Sequence, residues 1–194
     1  VKAIDALWEC NARWLLNELV TLCEEDLDTA VRAVAASHLE KFVLLGVQEE
    51  LRPSLVEKVE SALRRLYGNP REDALVRRRA LEALSPSDED DINDMIRESY
   101  HGIDPDMKLG ALYAMGQHCD PQWLPVLLTE LKNPNPEARY EAARACGVLE
   151  DDRAVPALAE LAKLGADPEV QEAAMLYLME VASDVVREAA FRLG

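Results

Sequence analysis

Three histidines and four cysteines are the side chains of this chain best suited to hold a metal or to act as base and nucleophile. His38 is followed by Leu39, His101 by Gly102 and His118 by Cys119. Only the last offers two ligands together, and no second pair stands at ligand spacing. The histidines are therefore expected to be solvated or capping residues near helix ends. Cys10, Cys23, Cys119 and Cys146 include no C-x-x-C pair and are expected as reduced thiols of a cytoplasmic protein. One pairing, Cys119 with Cys146 on adjacent repeats, is left open. The acid run Asp88-Glu89-Asp90-Asp91, with Asp94 nearby, lacks the Asp-x-Asp-x-Asp-Gly spacing of a calcium loop. It reads as a solvated loop capping a helix that begins near Ile92. Neither a glycine-rich phosphate loop nor a Gly-x-Ser-x-Gly elbow occurs. Paired carboxylates carry no signal among 37 acids and 21 lysines and arginines. The expectation is a non-enzyme with no catalytic residue, metal or cofactor.

Any site must be positioned by a phrase that recurs along the chain. Asp104-Pro105-Asp106-Met107-Lys108-Leu109-Gly110-Ala111 is followed 31 residues later by Asn135-Pro136-Glu137-Ala138-Arg139-Tyr140-Glu141-Ala142. After 32 more comes Asp167-Pro168-Glu169-Val170-Gln171-Glu172-Ala173-Ala174. Such a period marks stacked helical repeats, each packing on its neighbours. Equivalent reference positions are Arg32, Arg77, Lys108, Arg139 and Gln171. Four residues before each stands a candidate N-cap: Asp28, Asp73, Asp104, Asn135 and Asp167. Three residues after each stands an alanine: Ala35, Ala80, Ala111, Ala142 and Ala174. These alanines, with Leu39, Leu84, Met115, Cys146 and Leu178 further on, fall on one helical face. Gly116 and Gly147 are expected as left-handed stops.

A second helix is expected in each unit. Trp123-Leu124-Pro125-Val126-Leu127-Leu128 aligns with Ala154-Val155-Pro156-Ala157-Leu158-Ala159, and Leu51-Arg52-Pro53-Ser54-Leu55-Val56 looks like an earlier copy. Residues 1–24 read as one long amphipathic helix, either the second helix of a degenerate leading unit or a cap. Val186 to Gly194 echoes the first-helix phrase too early for the period. It is either an irregular last helix or a sign that the chain is a piece of a longer array, which the missing initial Met also suggests.

The phrase acid-Pro-x-apolar-basic-x-x-Ala-small, then Gly, then apolar-Pro-x-Leu, resembles HEAT repeats, in particular the short bacterial type of phycobilin lyase subunits. The likeness is strong over 104–182 and weaker towards the N-terminus. It implies an all-α fold: a right-handed α-solenoid of about five helix pairs, first helices convex and second helices concave. The implied organisation is one domain over 1–194, with a leading helix at 1–25 and repeats at 26–68, 69–103, 104–134, 135–166 and 167–194. Such folds mostly bind other proteins. Among enzymatic relatives, deoxyhypusine hydroxylase holds di-iron through His-Glu pairs, which this chain lacks. A HEAT-like DNA glycosylase needs a cationic face. The lyase-subunit likeness leaves a prosthetic-group (bilin-type) lyase subunit as the alternative function.

Charge sharpens the choice. Net charge is −16. Residues 80–194 carry nine basic and 23 acidic side chains, whereas 52–79 carry eight basic and four acidic. Nucleic acid and anionic membranes are thus disfavoured partners. No apolar run approaches the roughly 18 residues that span a bilayer, and Val1 to Asp5 does not read as a signal peptide. Arg64, Arg65, Arg71 and Arg77 to Arg79 read as a helix surface paired with neighbouring acids, or else as a local anion patch. The expected function is a protein–protein interaction scaffold whose concave face takes a partner with basic or apolar features. Candidate contacts are Trp123, Glu130, Arg153, Glu160 and Lys163. Trp123 is open to two readings, a contact hot spot or a side chain packed over the turn between repeats. Trp8 falls on the apolar face of its helix, and Trp14, six residues on, points elsewhere.

Overall fold

The computed structural model describes residues 2–7, 10–163 and 167–179, and the described residues contain helices and no strand. Trp8, Glu180 and the Val186–Gly194 echo lie outside them. The order is α1 (Lys2–Asp5), α2 (Arg13–Glu25), α3 (Thr29–Val47), α4 (Pro53–Tyr67), α5 (Ala74–Leu84) and α6 (Asp91–His101). Then come α7 (Pro105–Gln117), α8 (Leu124–Glu130), α9 (Pro136–Val148), α10 (Val155–Lys163) and α11 (168–179). Short 3-10 turns, Pro121–Trp123 and Asp152–Ala154, lead into α8 and α10. The class is all-α, with consecutive helices packed as in a HEAT-like solenoid. Two compact units divide it, residues 1–114 and 115–194. In the first, α3 packs on α2, α4 and α5, and α5 packs on α4 and α6. In the second, α8 packs on α9.

The caps stand where the phrase puts them. Asp28 Oδ1 accepts from the Ala30 amide at 2.8 Å, Asp73 Oδ1 from Leu75 at 2.9 Å, Asp104 Oδ1 from Asp106 at 2.9 Å and Asn135 Oδ1 from Glu137 at 3.0 Å. Each satisfies a first-turn amide that has no carbonyl partner within its helix. Asn135→Ala should therefore lower unfolding free energy by about 1 kcal/mol. Urea titration checks this, and an unchanged midpoint would remove the cap from the account.

Four of the five reference residues tie their turn shut. Arg32 Nη1 donates to the Asp26 carbonyl at 2.8 Å, Arg77 Nε to Tyr67 at 2.9 Å, and Arg139 Nη1 to Asn133 at 2.8 Å. Gln171 Nε2 does the same to Ala162 at 2.6 Å. These carbonyls lie at the ends of preceding segments, where the last carbonyls of a helix lack an intrahelical amide. Arg32 also reaches forward to Glu72 at 2.8 Å, and Arg139 to Asp167 at 3.5 Å. One side chain thus joins the end of one repeat to the start of the next. All five phrase alanines are buried, as are Leu39, Leu84, Met115 and Cys146. In the last copy Met175, next to Ala174, is half exposed.

Two expectations need correction. Gly116 and Gly147 are not left-handed stops; they lie inside α7 and α9. The left-handed residues are Cys119 and Glu150, three positions on, with φ of 52° and 50°. Their amides donate to the Gly116 and Gly147 carbonyls, both at 3.1 Å. Glu49, at φ 59°, bonds to Gly46 in the same way in the first copy. The glycines instead permit close approach. A Cβ on Gly116 would lie 2.7 Å from Ala145 Cα, and one on Gly147 would run into the Tyr177 ring.

The second correction concerns residues 1–24, which are not one helix. Helix α1 ends at Asp5 and α2 begins at Arg13, with residues 6–7 and 10–12 outside helix. Buried Lys41 explains how the break is tolerated. Its Nζ donates to the carbonyls of Leu7 at 3.3 Å and Cys10 at 2.7 Å, so groups released by the break still have a donor.

Candidate functional site

Residues on a repeat helix that bury nothing are the ones free to touch a partner. On α10 and the 3-10 turn that leads into it, Ala154 and Leu158 are buried, while Arg153, Pro156, Glu160 and Lys163 are exposed. These exposed positions are three, four and seven apart, so they share one face. Arg153 is held in place. Asp151 caps the 3-10 turn by accepting from the Arg153 amide at 3.0 Å, and its carboxylate takes the guanidinium at 2.9 and 2.6 Å. The Arg153 hydrogen bond holds the Asp151 carboxyl down at about 2 and raises the guanidinium's own value. The pair is exposed on the Arg153 side and worth little to stability.

Trp123 and Glu130 are elsewhere. Both are buried, at 5% exposure each. The 3-10 turn at Pro121–Trp123 rolls the indole inward, so Trp123, Leu127 and Glu130, spaced four and three apart, form the buried face of this segment. Glu130 accepts from the Asn133 side-chain amide. The repeat offset carried this information: it sets Trp123 against Ala154, Leu127 against Leu158 and Glu130 against Leu161. The exposed equivalents of Arg153, Glu160 and Lys163 on the α8 segment are Gln122, Thr129 and Lys132.

Four arginines of the basic stretch are paired with acids. Arg64 Nε and Nη2 take both oxygens of Asp91 at 2.8 and 3.0 Å, and Nη1 takes Glu60 at 3.0 Å. Arg65 reaches Glu24 at 2.6 Å. Arg78 and Arg79 both close on buried Glu82, at 2.7 and 2.5 Å. Arg77 lies over the Tyr67 ring. Tyr67 in turn donates to the Met95 carbonyl at 3.1 Å and meets Ser99 Oγ at 3.0 Å, which fastens α4 to α6.

His38 departs from expectation. It is buried, and its Nε2 lies 3.1 Å from Asp5 Oδ1. His101 is exposed at the end of α6, edge-on to Tyr100. Among the described residues no group of three or more His, Cys, Asp or Glu side chains is arranged to hold a metal. Cys119 and Cys146 are not bonded to each other; all four thiols are free. Burial pushes Cys23 and Cys146 up to about 12, so both stay protonated. The acid run is exposed at 88–90, and α6 begins at Asp91, one residue early; Asp90 stands at the cap without a side-chain bond. Among the described residues no helix is long and apolar enough to cross a membrane.

Glu72 gives a pH-dependent test of the repeat junction. Burial alone would raise its carboxyl, but the Arg32 hydrogen bond, the Asp73 amide and the Arg32 charge together hold it below its ordinary value. A depressed carboxyl adds stability that is complete above its unfolded value of about 4.3 and fades as pH falls through the folded one. Glu72→Gln should thus be less stable than the parent at pH 7, by about 1 kcal/mol. That difference should narrow as pH falls below the unfolded value and close once pH is below the folded one. A gap that persists there would mean the carboxylate's charge is not what matters.

The comparisons agree with this geometry. A family model for HEAT repeats matches residues 93–179. The structure of human deoxyhypusine hydroxylase in complex with glycerol is similar at a TM-score of 0.51 and 17% identity, over 94% of this chain and 78% of that one. An engineered protein, a Northeast Structural Genomics Consortium target, is similar at 0.51 and 21%, over 87% and 79%. Identities this low concern the fold alone. No curated protein matches the chain by sequence. Residues 93–179 thus carry HEAT repeats, and the caps and bases of the same phrase recur before them.

Proposed function

We propose that this chain is a non-catalytic interaction scaffold that receives another protein on the face of its second helices, the concave face expected of HEAT repeats. The observation that supports this is the division of labour along α10. Ala154 and Leu158 are buried, whereas Arg153, Glu160 and Lys163 are exposed on one stripe. Trp123 and Glu130 belong to the interior and drop out of the contact set. An acidic chain favours a partner with basic or apolar features and disfavours nucleic acid.

The test is affinity capture from the native cell extract with mass spectrometry. The parent chain is compared with Arg153→Ala/Glu160→Ala/Lys163→Ala. Substitutions at exposed positions should leave melting within a few degrees of the parent. The expected result is loss of a partner that the parent retains. Equal recovery by both would reject the α10 stripe as the contact face. Co-purification of a pigment would point to the lyase-subunit alternative.

A further inference from the structure

The first repeat differs from the others in length, and the extra length builds a groove. Helix α3 has 19 residues, against 11 in α5 and 13 in α7 and α9. Its last turns carry Gly46 to the α3–α4 loop, where Glu49 and Leu51 form one wall. Pro53, Val56, Glu57 and Glu60 of α4 form the floor. Glu89, Asp90 and Asp91, at the entry to α6, form the far wall. The cavity is about 880 Å³, at the upper end of ordinary ligand sites. All of it lies within the first unit.

Its charge is one-sided. Six carboxylates line it against one guanidinium, and that guanidinium, Arg64, is engaged by Asp91 and Glu60. Glu60 is further satisfied by Ser87 Oγ at 2.8 Å. Glu49, Glu57, Glu89 and Asp90 stand exposed around the mouth. They do not converge as ligands of one ion would, since among the described residues no acidic group is arranged to hold a metal. The carboxylates are spread along a trough whose other surface, Leu51, Pro53 and Val56, is apolar. An occupant that matches both features carries several positive charges on aliphatic stems. We infer that this groove binds a lysine- and arginine-rich segment of a partner protein. The stems would lie on Leu51, Pro53 and Val56, and the charged heads would meet Glu49, Glu57, Glu89 and Asp90. This goes beyond the α10 reading: it concerns other residues in the other unit, so failure of either leaves the other standing.

The test uses the full chain and a fluorescein-labelled peptide of alternating arginine and alanine, titrated by anisotropy at physiological ionic strength. Amide chemical shifts map the contact. The variant Glu57→Gln/Glu89→Gln/Asp90→Asn removes three exposed charges with no part in the helix ion pairs. Glu137→Gln/Glu169→Gln/Glu172→Gln removes the same charge from exposed positions in the second unit. Saturable binding is expected, with shifts confined to 46–64 and 87–92. The groove variant should bind about tenfold more weakly, as three ordinary ion pairs imply, and the control variant as the parent does. Equal weakening by both variants would reduce the effect to net charge and overturn the proposal. Shifts scattered along the chain would overturn it too. Spermine binding the groove as tightly as the peptide would show a site for small polycations instead.

Discussion

Ala142→Asp should destabilise the chain by about 3–5 kcal/mol at pH 7. Ala142 is fully buried on α9, at the position where all five copies of the phrase carry alanine. Two penalties combine there. The larger side chain must displace packed neighbours, and its carboxylate must leave water. The pH dependence separates them. Burial raises the folded pKa of such a carboxyl above the unfolded value of about 3.9, so the group is neutral in both states at lower pH. The deficit is then smallest in acid and grows with pH until the folded value is passed, by about 1.4 kcal/mol per unit. Paired urea titrations at pH 4 and pH 7 read both parts. A variant that melts within a degree of the parent at pH 7 would remove Ala142 from the packed face. A deficit equally large at both pH values would assign the effect to volume alone.

The features legible in the sequence were those with a local cause. An aspartate or asparagine four residues before the reference base caps a helix by bonding an amide two residues away, and nothing distant enters. The alanines were legible because helical periodicity decides which face they occupy. The misread glycines show the limit. Glycine is the usual left-handed residue, yet here the turn puts a cysteine and a glutamate in that conformation, three residues past the glycine. What fixes each glycine is a backbone or ring from another helix, which no periodicity reports. The break before α2 was hidden for the same reason: it depends on an amine from α3 arriving under the Leu7 and Cys10 carbonyls.

The candidate site divides along the same line. Arg153, Glu160 and Lys163 were placed by periodicity and are exposed. Trp123 and Glu130, expected outside the core of their second helix, share the register of Ala154 and Leu161 and are buried. A tryptophan aligned with a buried alanine fills that position when the neighbourhood has room for it. The groove of the first unit was nearly invisible in sequence. Its acid run was plain, but the opposing wall comes from a loop some 40 residues earlier, which only the fold brings alongside.

Two glycines of one helix should respond to the same substitution with opposite signs. Gly110→Ala and Gly116→Ala both replace glycine within α7. Helix propensity alone would stabilise each by about 1 kcal/mol. At Gly110 the new methyl would lie 2.8 Å from Arg78 Cγ. That atom belongs to a flexible side chain, which can shift by a few tenths of an ångström while its guanidinium stays on Glu82. Propensity should win there, leaving Gly110→Ala equal to the parent or up to about 1 kcal/mol more stable. At Gly116 the methyl would lie 2.7 Å from Ala145 Cα and 2.9 Å from its Cβ. Cα belongs to the backbone of α9 and Cβ is held rigidly on it, so the two helices must separate. Separation opens voids along the alanine face, and loss of packing there exceeds the propensity gain, for a net loss of about 1–3 kcal/mol. Gly116→Leu should lose about 3 kcal/mol or more. Urea titration of all three variants decides the matter. Stabilisation by Gly116→Ala would mean that α7 and α9 are not held together by the missing side chain, and that this glycine serves the turn after all.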